Sequence, residues 1–109
     1  MDKYEFNIKV EQIKKLINKS DYETAMKIAD TIDWRRVRNV NILSMVAGIY
    51  EKNGEFQEAK DILLLAFERA PIGKRLLYKL ADLALKEGNV EEAEDYYKEF
   101  CNLAADDPR

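Results

Sequence analysis

The chain has 109 residues, enough for one domain with a single core but short of two. Its composition, 47% hydrophobic and 36% charged, is typical of a folded, mostly helical protein rather than a disordered one. Because the formal net charge is −3 and acids and bases are interspersed along the chain, nucleic-acid binding is disfavoured.

Secretion and membrane insertion are also disfavoured. Cys101 is the single cysteine, so it has no partner for an intramolecular disulfide and belongs to no metal-binding cluster. The N-terminal stretch "MDKYEFNIKV" lacks the continuous apolar core of a signal peptide. The longest apolar run, "ILLLAF", is far shorter than the roughly 20 residues that cross a bilayer. We therefore expect a cytoplasmic protein with no metal and no cofactor.

A period of 34 residues organises the chain. Three kinds of residue recur at this spacing: a turn residue (Ser20, Gly54, Gly88), an apolar residue (Tyr22, Phe56, Val90) and an alanine (Ala25, Ala59, Ala93). A period of this length is typical of stacked helix-turn-helix units. The sequence thus predicts one domain over residues 1–109, with repeats at about 6–38, 40–73 and 74–107.

The first unit begins with a pattern that fits a strand as well as a helix. Apolar residues alternate through Tyr4, Phe6, Ile8 and Val10. No second strand exists to pair with this segment, and the 34-residue phase assigns a helix, which we predict. At half of the positions that are apolar in the later units, the first unit has polar residues. This is typical of the solvated cap of a repeat array.

Each second helix is predicted to follow a tight turn. Asp21 and Asn89 are plausible N-caps, and Ser20 with Glu23 forms an alternative capping box. Glycine at Gly54 and Gly88 suits a left-handed residue at the end of a helix. Ser20 stands at the same phase in the first unit, so we expect the first turn to have a different shape.

The middle and third units share one apolar pattern. A helix is predicted from about Asn41 to Lys52, and its six apolar phases are apolar again 34 residues later. The recurring alanines mark the closest crossing of the two helices in each unit, where a larger side chain would push the axes apart. Pro71 is expected to end the second helix of the middle unit and to begin the next helix.

These residues resemble the tetratricopeptide repeat family over essentially the whole chain. The middle unit keeps the family pattern at Tyr50, Gly54, Phe56, Ala59, Ala66 and Pro71, and the third keeps Gly88, Ala93 and Tyr97. Leu43 and Leu77 stand where the family often has tryptophan. The resemblance implies an all-α fold, a right-handed α-solenoid of three antiparallel hairpins that acts as a non-enzymatic scaffold for protein–protein interaction.

The resemblance also implies a binding groove. In this family the first helices line a concave surface, and side chains outside the packing stripes point into it. This sequence has at those positions Asn7, Val10, Lys14, Asn41, Ser44, Met45, Gly48, Arg75, Tyr78, Lys79 and Asp82. The groove would take a peptide or protein segment, and its excess of positive groups favours an acidic one.

Some family members hold the C-terminal carboxylate of chaperones with Lys, Asn and Arg side chains. Arg75 and Lys79 match the basic pair of the final repeat in that arrangement. Val10, Lys14 and Met45 stand where Lys, Asn and Asn would be required. A complete carboxylate clamp is therefore not expected.

Other candidate sites each have a simpler explanation. The sequence has no histidine, which excludes catalytic triads that need one. Cys101 fits a small packing residue or a reactive thiol, and the acids of "EEAED", residues 91–95, fit a solvated helix start. The basic stretch "WRRVR", residues 34–38, fits an anion site or the end of a second helix, with Trp34 as a packing residue.

The last helix, predicted from about Val90 to Ala104, raises an alternative function. If Ala93, Tyr97 and Phe100 face its own partner helix, Tyr96 and Leu103, with Cys101, fall toward the open end of the array. Such an apolar end is typical of an interface. We therefore expect either self-association through this helix or further repeats in a longer natural chain, so a structural self-assembly element is the alternative to a peptide-binding scaffold.

Overall fold

The structure, a computed structural model, describes residues 2–69 and 74–105. All regular structure in this part of the chain is helical, with α1 Lys3–Asn18, α2 Tyr22–Ala29, α3 Val40–Lys52, α4 Phe56–Arg69, α5 Lys74–Lys86 and α6 Val90–Ala105. Each helix packs on the next in chain order, and the molecule measures 41 × 29 × 22 Å. The predicted fold class, an all-α solenoid of helical hairpins, is confirmed. Pro71 lies outside the described residues.

Helix α1 covers the segment whose alternating pattern also fitted a strand. Its N-cap is Asp2, whose carboxylate accepts a hydrogen bond of 2.8 Å from the backbone N–H of Glu5. Along its length it fully buries only Val10 and Ile13, whereas α3 buries five residues. The helix therefore has one narrow packing stripe, as expected of the solvated first helix of an array.

The three turns within the hairpins have the same shape. Gly54 and Gly88 have φ of 76° and 83°, and Ser20 has φ of 59°. In the first turn the N–H of Asp21 donates to the C=O of Leu16 at 2.9 Å, and the other two turns repeat this bond at the same spacing. This is the Schellman arrangement. Our expectation of a different first turn was wrong, because the serine adopts the left-handed conformation despite its steric cost.

The predicted N-caps of the second helices are confirmed. Asp21 accepts a hydrogen bond of 3.2 Å from the N–H of Thr24, and Asn89 accepts one of 3.2 Å from the N–H of Glu92. Ser20 lies in the turn, one residue before the N-cap, so the alternative capping box with Glu23 does not form.

The apolar run "ILLLAF" lies inside α4. Ile62, Leu63 and Ala66 are buried there, whereas Leu64 is 37% exposed. Packing on both the preceding and the following helices explains why so much of this helix is apolar. None of the helices in residues 2–69 and 74–105 combines the length with the apolar character that crossing a membrane requires.

Helix α2 is shorter than the other second helices and ends before the basic stretch. The hydroxyl of Thr31 donates to the C=O of Ile28 at 2.7 Å. A separate 3₁₀ turn follows at Trp34–Arg36, capped by Asp33. Residues 34–38 are therefore not the end of a second helix, and Arg35 and Arg36 interact with Asp33 instead of the carbonyl groups of α2.

The recurring alanines lie at the helix crossings. Ala25 and Ala59 have no exposed surface, and Ala93 is 1% exposed. Each is near the start of a second helix that packs on the first helix of its own hairpin. A side chain without atoms beyond Cβ lets the two axes approach closely.

Replacing Ala59 with Leu is expected to lower the free energy of unfolding by about 1–3 kcal/mol, because added methylene groups force apart a tight core. Thermal and urea unfolding monitored by circular dichroism would measure the change. Gln57→Leu is the matched control, since Gln57 lies on the same helix but is exposed. Equal losses in the two variants would contradict the assignment of Ala59 to the crossing.

Candidate functional site

Eight side chains of the predicted groove lie on the first helices α1, α3 and α5, and we call this set the first-helix surface. Six of the eight are exposed, namely Asn7, Lys14, Asn41, Arg75, Tyr78 and Lys79. Ser44 and Met45 are half-buried, and Met45 packs against the core. Within residues 2–69 and 74–105, no hydrogen bond or ion pair joins two members of the set. The set is therefore a surface of separate side chains and not a preassembled cluster.

Val10 and Lys14 have different environments on α1. Val10 is only 4% exposed, so it belongs to the core and not to the surface where the resemblance placed it. Lys14 lies 3.4 Å from the Glu11 carboxylate, one turn away on the same helix. Because both side chains are at least half exposed, this pair contributes little to stability and leaves Lys14 accessible.

Helix α5 carries the most distinctive part of the surface. Tyr78 is 54% exposed, and its ring makes edge contacts with the rings of Tyr97 and Phe100 on α6, at centroid distances of 5.9 and 6.0 Å. These contacts hold the Tyr78 ring against its own hairpin while leaving much of it open to solvent. Arg75 and Lys79 are exposed one helical turn apart on the same helix, so two cations lie near the exposed edge of this ring.

The acids at the other end of the first helices are already paired. The Lys86 ammonium group contacts Glu51 on α3 and lies 3.3 Å from Asp82 on α5. The hydrogen bond to Glu51 is the main reason why the pKa of Lys86 is raised above its ordinary value of 10.5. Since one cation serves both carboxylates, these acids only partly offset the positive charge of Arg75 and Lys79.

The structure contains a buried ion cluster that the sequence patterns did not predict. Lys60 is only 3% exposed, and its ammonium group contacts Glu87, just after α5, and both carboxylate oxygens of Glu92 at 3.0 Å. Burial alone lowers the pKa of Lys60, but the hydrogen bonds to Glu87 and Glu92 outweigh it and raise that pKa. The acids of residues 91–95 are therefore not simply a solvated helix start. The positions that correspond to Lys60 in the other two repeats hold Met26 and Glu94, so the 34-residue period does not indicate this cluster.

Polar contacts also join the first two hairpins. The Tyr50 hydroxyl donates to the Asp30 carboxylate at 2.6 Å, and burial together with this bond raises the pKa of Tyr50. The Asn53 amide donates to the backbone C=O of Tyr22 at 2.9 Å. Arg69 donates to the backbone C=O of Arg35, also across the two hairpins, at 2.8 Å. These bonds fix α3 and α4 against the first hairpin, and with them the spacing of the first-helix surface.

The end of α6 differs from expectation. Tyr96 is half-buried and packs partly against the core, and burial followed by the neighbouring Glu92 raises its pKa; its role in self-association stays a prediction. Cys101 is exposed and is not a packing residue. It lines, with Tyr97 and neighbours on α6, a shallow depression of about 350 Å³. The Leu103 side chain lies outside the described part of the chain.

Comparison with known proteins gives the family. A tetratricopeptide repeat model matches residues 40–72 and 74–107, more than half of the chain. The chain belongs to the tetratricopeptide repeat family. Among curated protein sequences, no match reached significance.

Solved structures share the fold at low sequence identity. PcrH in complex with the chaperone binding region of PopD is 14% identical, with a TM-score of 0.73 over 99% of this chain and 81% of that one. The type III secretion translocator chaperone SycD of Yersinia enterocolitica, in an alternative dimer, is 15% identical, with a TM-score of 0.72 over 98% and 81%. MamA AMB-1 is 18% identical, with a TM-score of 0.76 over 91% and 59%.

Lys60→Ala is expected to lower the free energy of unfolding by about 1–3 kcal/mol, because it leaves two carboxylates facing each other without a cation. Lys60→Met combined with Glu92→Gln keeps the packed stem and removes one acid, so its loss should be smaller. Urea unfolding would compare both with Lys27→Ala at an exposed lysine, expected to change stability by no more than about 0.5 kcal/mol. A loss no larger for Lys60→Ala than for Lys27→Ala would contradict a stabilising cluster.

Proposed function

We propose that this chain is a non-enzymatic protein-interaction scaffold whose first-helix surface binds an acidic segment of a partner protein. Membership of the tetratricopeptide repeat family supports a scaffold, and one similar structure, PcrH, was solved with a bound region of another protein. The observation that carries the acidic preference is the exposed trio Arg75, Tyr78 and Lys79 on α5. Cytoplasmic location remains a prediction.

The trio suits an extended or helical segment better than a small molecule. Arg75 and Lys79 are four residues apart, so their side chains lie on one face of α5 about one helical turn from each other. Carboxylates at a similar spacing in a partner segment would meet both cations, while an apolar side chain would rest on the exposed Tyr78 ring. Binding energy would then come from a few side chains on a rigid helix rather than from an enclosed pocket.

Arg75→Glu with Lys79→Glu is expected to weaken binding of short aspartate- and glutamate-rich peptides by about tenfold or more, because attraction becomes repulsion. Fluorescence anisotropy with labelled acidic peptides would measure this, and lysine-rich peptides of equal length should not bind the unmodified chain.

Lys19→Glu with Lys27→Glu is the matched control, since it makes the same charge change at two exposed lysines outside the first-helix surface. Circular dichroism would establish that both variants keep their helical content. Equal affinity of the Arg75/Lys79 variant and the unmodified chain for the acidic peptides would contradict the proposal.

A second candidate function is self-association through the outer face of α6. Glu94 and Lys98 line the depression beside Tyr97 and Cys101. When two copies of such a helix pack antiparallel about a two-fold axis, Glu94 of each copy can face Lys98 of the other, so the face is self-complementary. SycD, a solved structure with a similar fold, was determined as an alternative dimer, which supports testing a dimer of this chain.

Glu94→Lys is expected to abolish self-association at concentrations of tens of micromolar or so, because four lysines would then meet at the interface. The charge swap Glu94→Lys with Lys98→Glu should restore it, since the swapped face is again self-complementary. Sedimentation velocity would compare the three chains. A monomer in all three cases, or a swap that fails to rescue, would exclude this interface.

A further inference from the structure

A cavity of about 660 Å³ lies between the start of α1 and the segment that joins α2 to α3. Its volume is within the range of roughly 300–1,000 Å³ in which ligand-binding pockets fall. Asn7 is the member of the first-helix surface that also lines it, and the residues of α5 lie elsewhere. The cavity is therefore a separate place of contact from the trio on α5.

The floor of the cavity is apolar and fixed. Ile32 and Val37 are only 8% and 9% exposed, and Phe6 beside them is half-buried. Behind Phe6 lies Trp34, with the ring centroids 6.3 Å apart in an edge contact. The indole N–H of Trp34 donates to the C=O of Ala29 at 3.0 Å, which anchors the ring. An apolar side chain can thus enter without first displacing polar groups from the floor.

The rim carries three cations and two acids. Lys3, Arg36 and Arg38 are exposed there, although the chain as a whole has a net charge of −3.

Both acids of the rim are already engaged. Asp2 caps α1, and Asp33 accepts hydrogen bonds of 3.0 and 3.4 Å from the Arg35 guanidinium, which lowers its pKa. Arg36 also lies 3.9 Å from Asp33, with its side chain 89% exposed. An incoming carboxylate therefore meets arginine groups that are open to solvent, beside one acid that is ion-paired and one that caps a helix.

We infer that this cavity is a second binding site, one that takes an apolar side chain flanked by carboxylates in a partner peptide. The side chain, of leucine to phenylalanine size, would lie on Phe6, Ile32 and Val37. The flanking carboxylates would meet Arg36 and Arg38, whose planar guanidinium groups bind carboxylates with two parallel hydrogen bonds. This site goes beyond the proposed function, because it does not require the first-helix surface to bind anything.

A fluorescein-labelled peptide with one leucine between glutamates is the probe, and the same peptide with serine in place of leucine tests the apolar part. In the background of Arg75→Glu with Lys79→Glu, which removes the site proposed on α5, Arg36→Glu with Arg38→Glu is expected to weaken binding of the leucine peptide about tenfold or more. The serine peptide should bind the unmodified chain more weakly than the leucine peptide. With an unlabelled copy of the leucine peptide, the emission of Trp34, the single tryptophan, should change, because it lies directly behind the cavity floor.

Two control variants separate this site from the one proposed on α5. Lys19→Glu with Lys27→Glu makes the same charge change outside the cavity and should leave affinity and the Trp34 response unaltered. Loss of binding in Arg75→Glu with Lys79→Glu but not in the Arg36/Arg38 variant would place the peptide on the first-helix surface and overturn the cavity site. Equal affinity for the leucine and serine peptides, or no binding at millimolar concentration, would also overturn it.

Discussion

The close crossing of two helices at a small residue is the constraint on which the rest of the structure depends. Ala25, Ala59 and Ala93 are at most 1% exposed, so each hairpin closes without a gap. Closed hairpins can stack, and the stack places α1, α3 and α5 at related positions of successive hairpins. Because those helices repeat, their side chains that lie outside the packing stripes form the first-helix surface.

Polar bonds set the register between hairpins, which apolar packing alone specifies poorly. Lys60 reaches from α4 to Glu87 and Glu92 of the third hairpin, and Tyr50 reaches from α3 to Asp30 of the first. A buried ammonium group is costly unless its partners are in place, so such contacts favour one arrangement over shifted ones. Through them the trio on α5 is held at a fixed distance from Asn41 and Met45 on α3.

Features that repeat along the chain were predictable from the sequence, and single features were not. The period of 34 residues located the helices, the turns and the crossing alanines, because each repeat supplied an independent instance of the same pattern. It misplaced single features. Ser20 adopts the left-handed turn that glycine adopts elsewhere, and Cys101 is exposed instead of packed. The ion cluster of Lys60 went unseen, since charges distant in sequence carry no mark of their pairing.

The sequence by itself determined the fold class, because hydrophobic periodicity, turn residues and small crossing residues are local or periodic properties that stacking merely repeats. It also named the six exposed side chains of the first-helix surface, together with two that are half-buried. Only the tertiary structure decided how the charges are paired and where a cavity opens. The cavity above Ile32 and Val37 forms because α2 ends early and a 3₁₀ turn bends the chain back toward α1. Asp33 caps this turn locally, but the placement of the turn against α1 depends on contacts between segments far apart in the chain, such as Phe6 with Trp34, which no pattern within one segment shows.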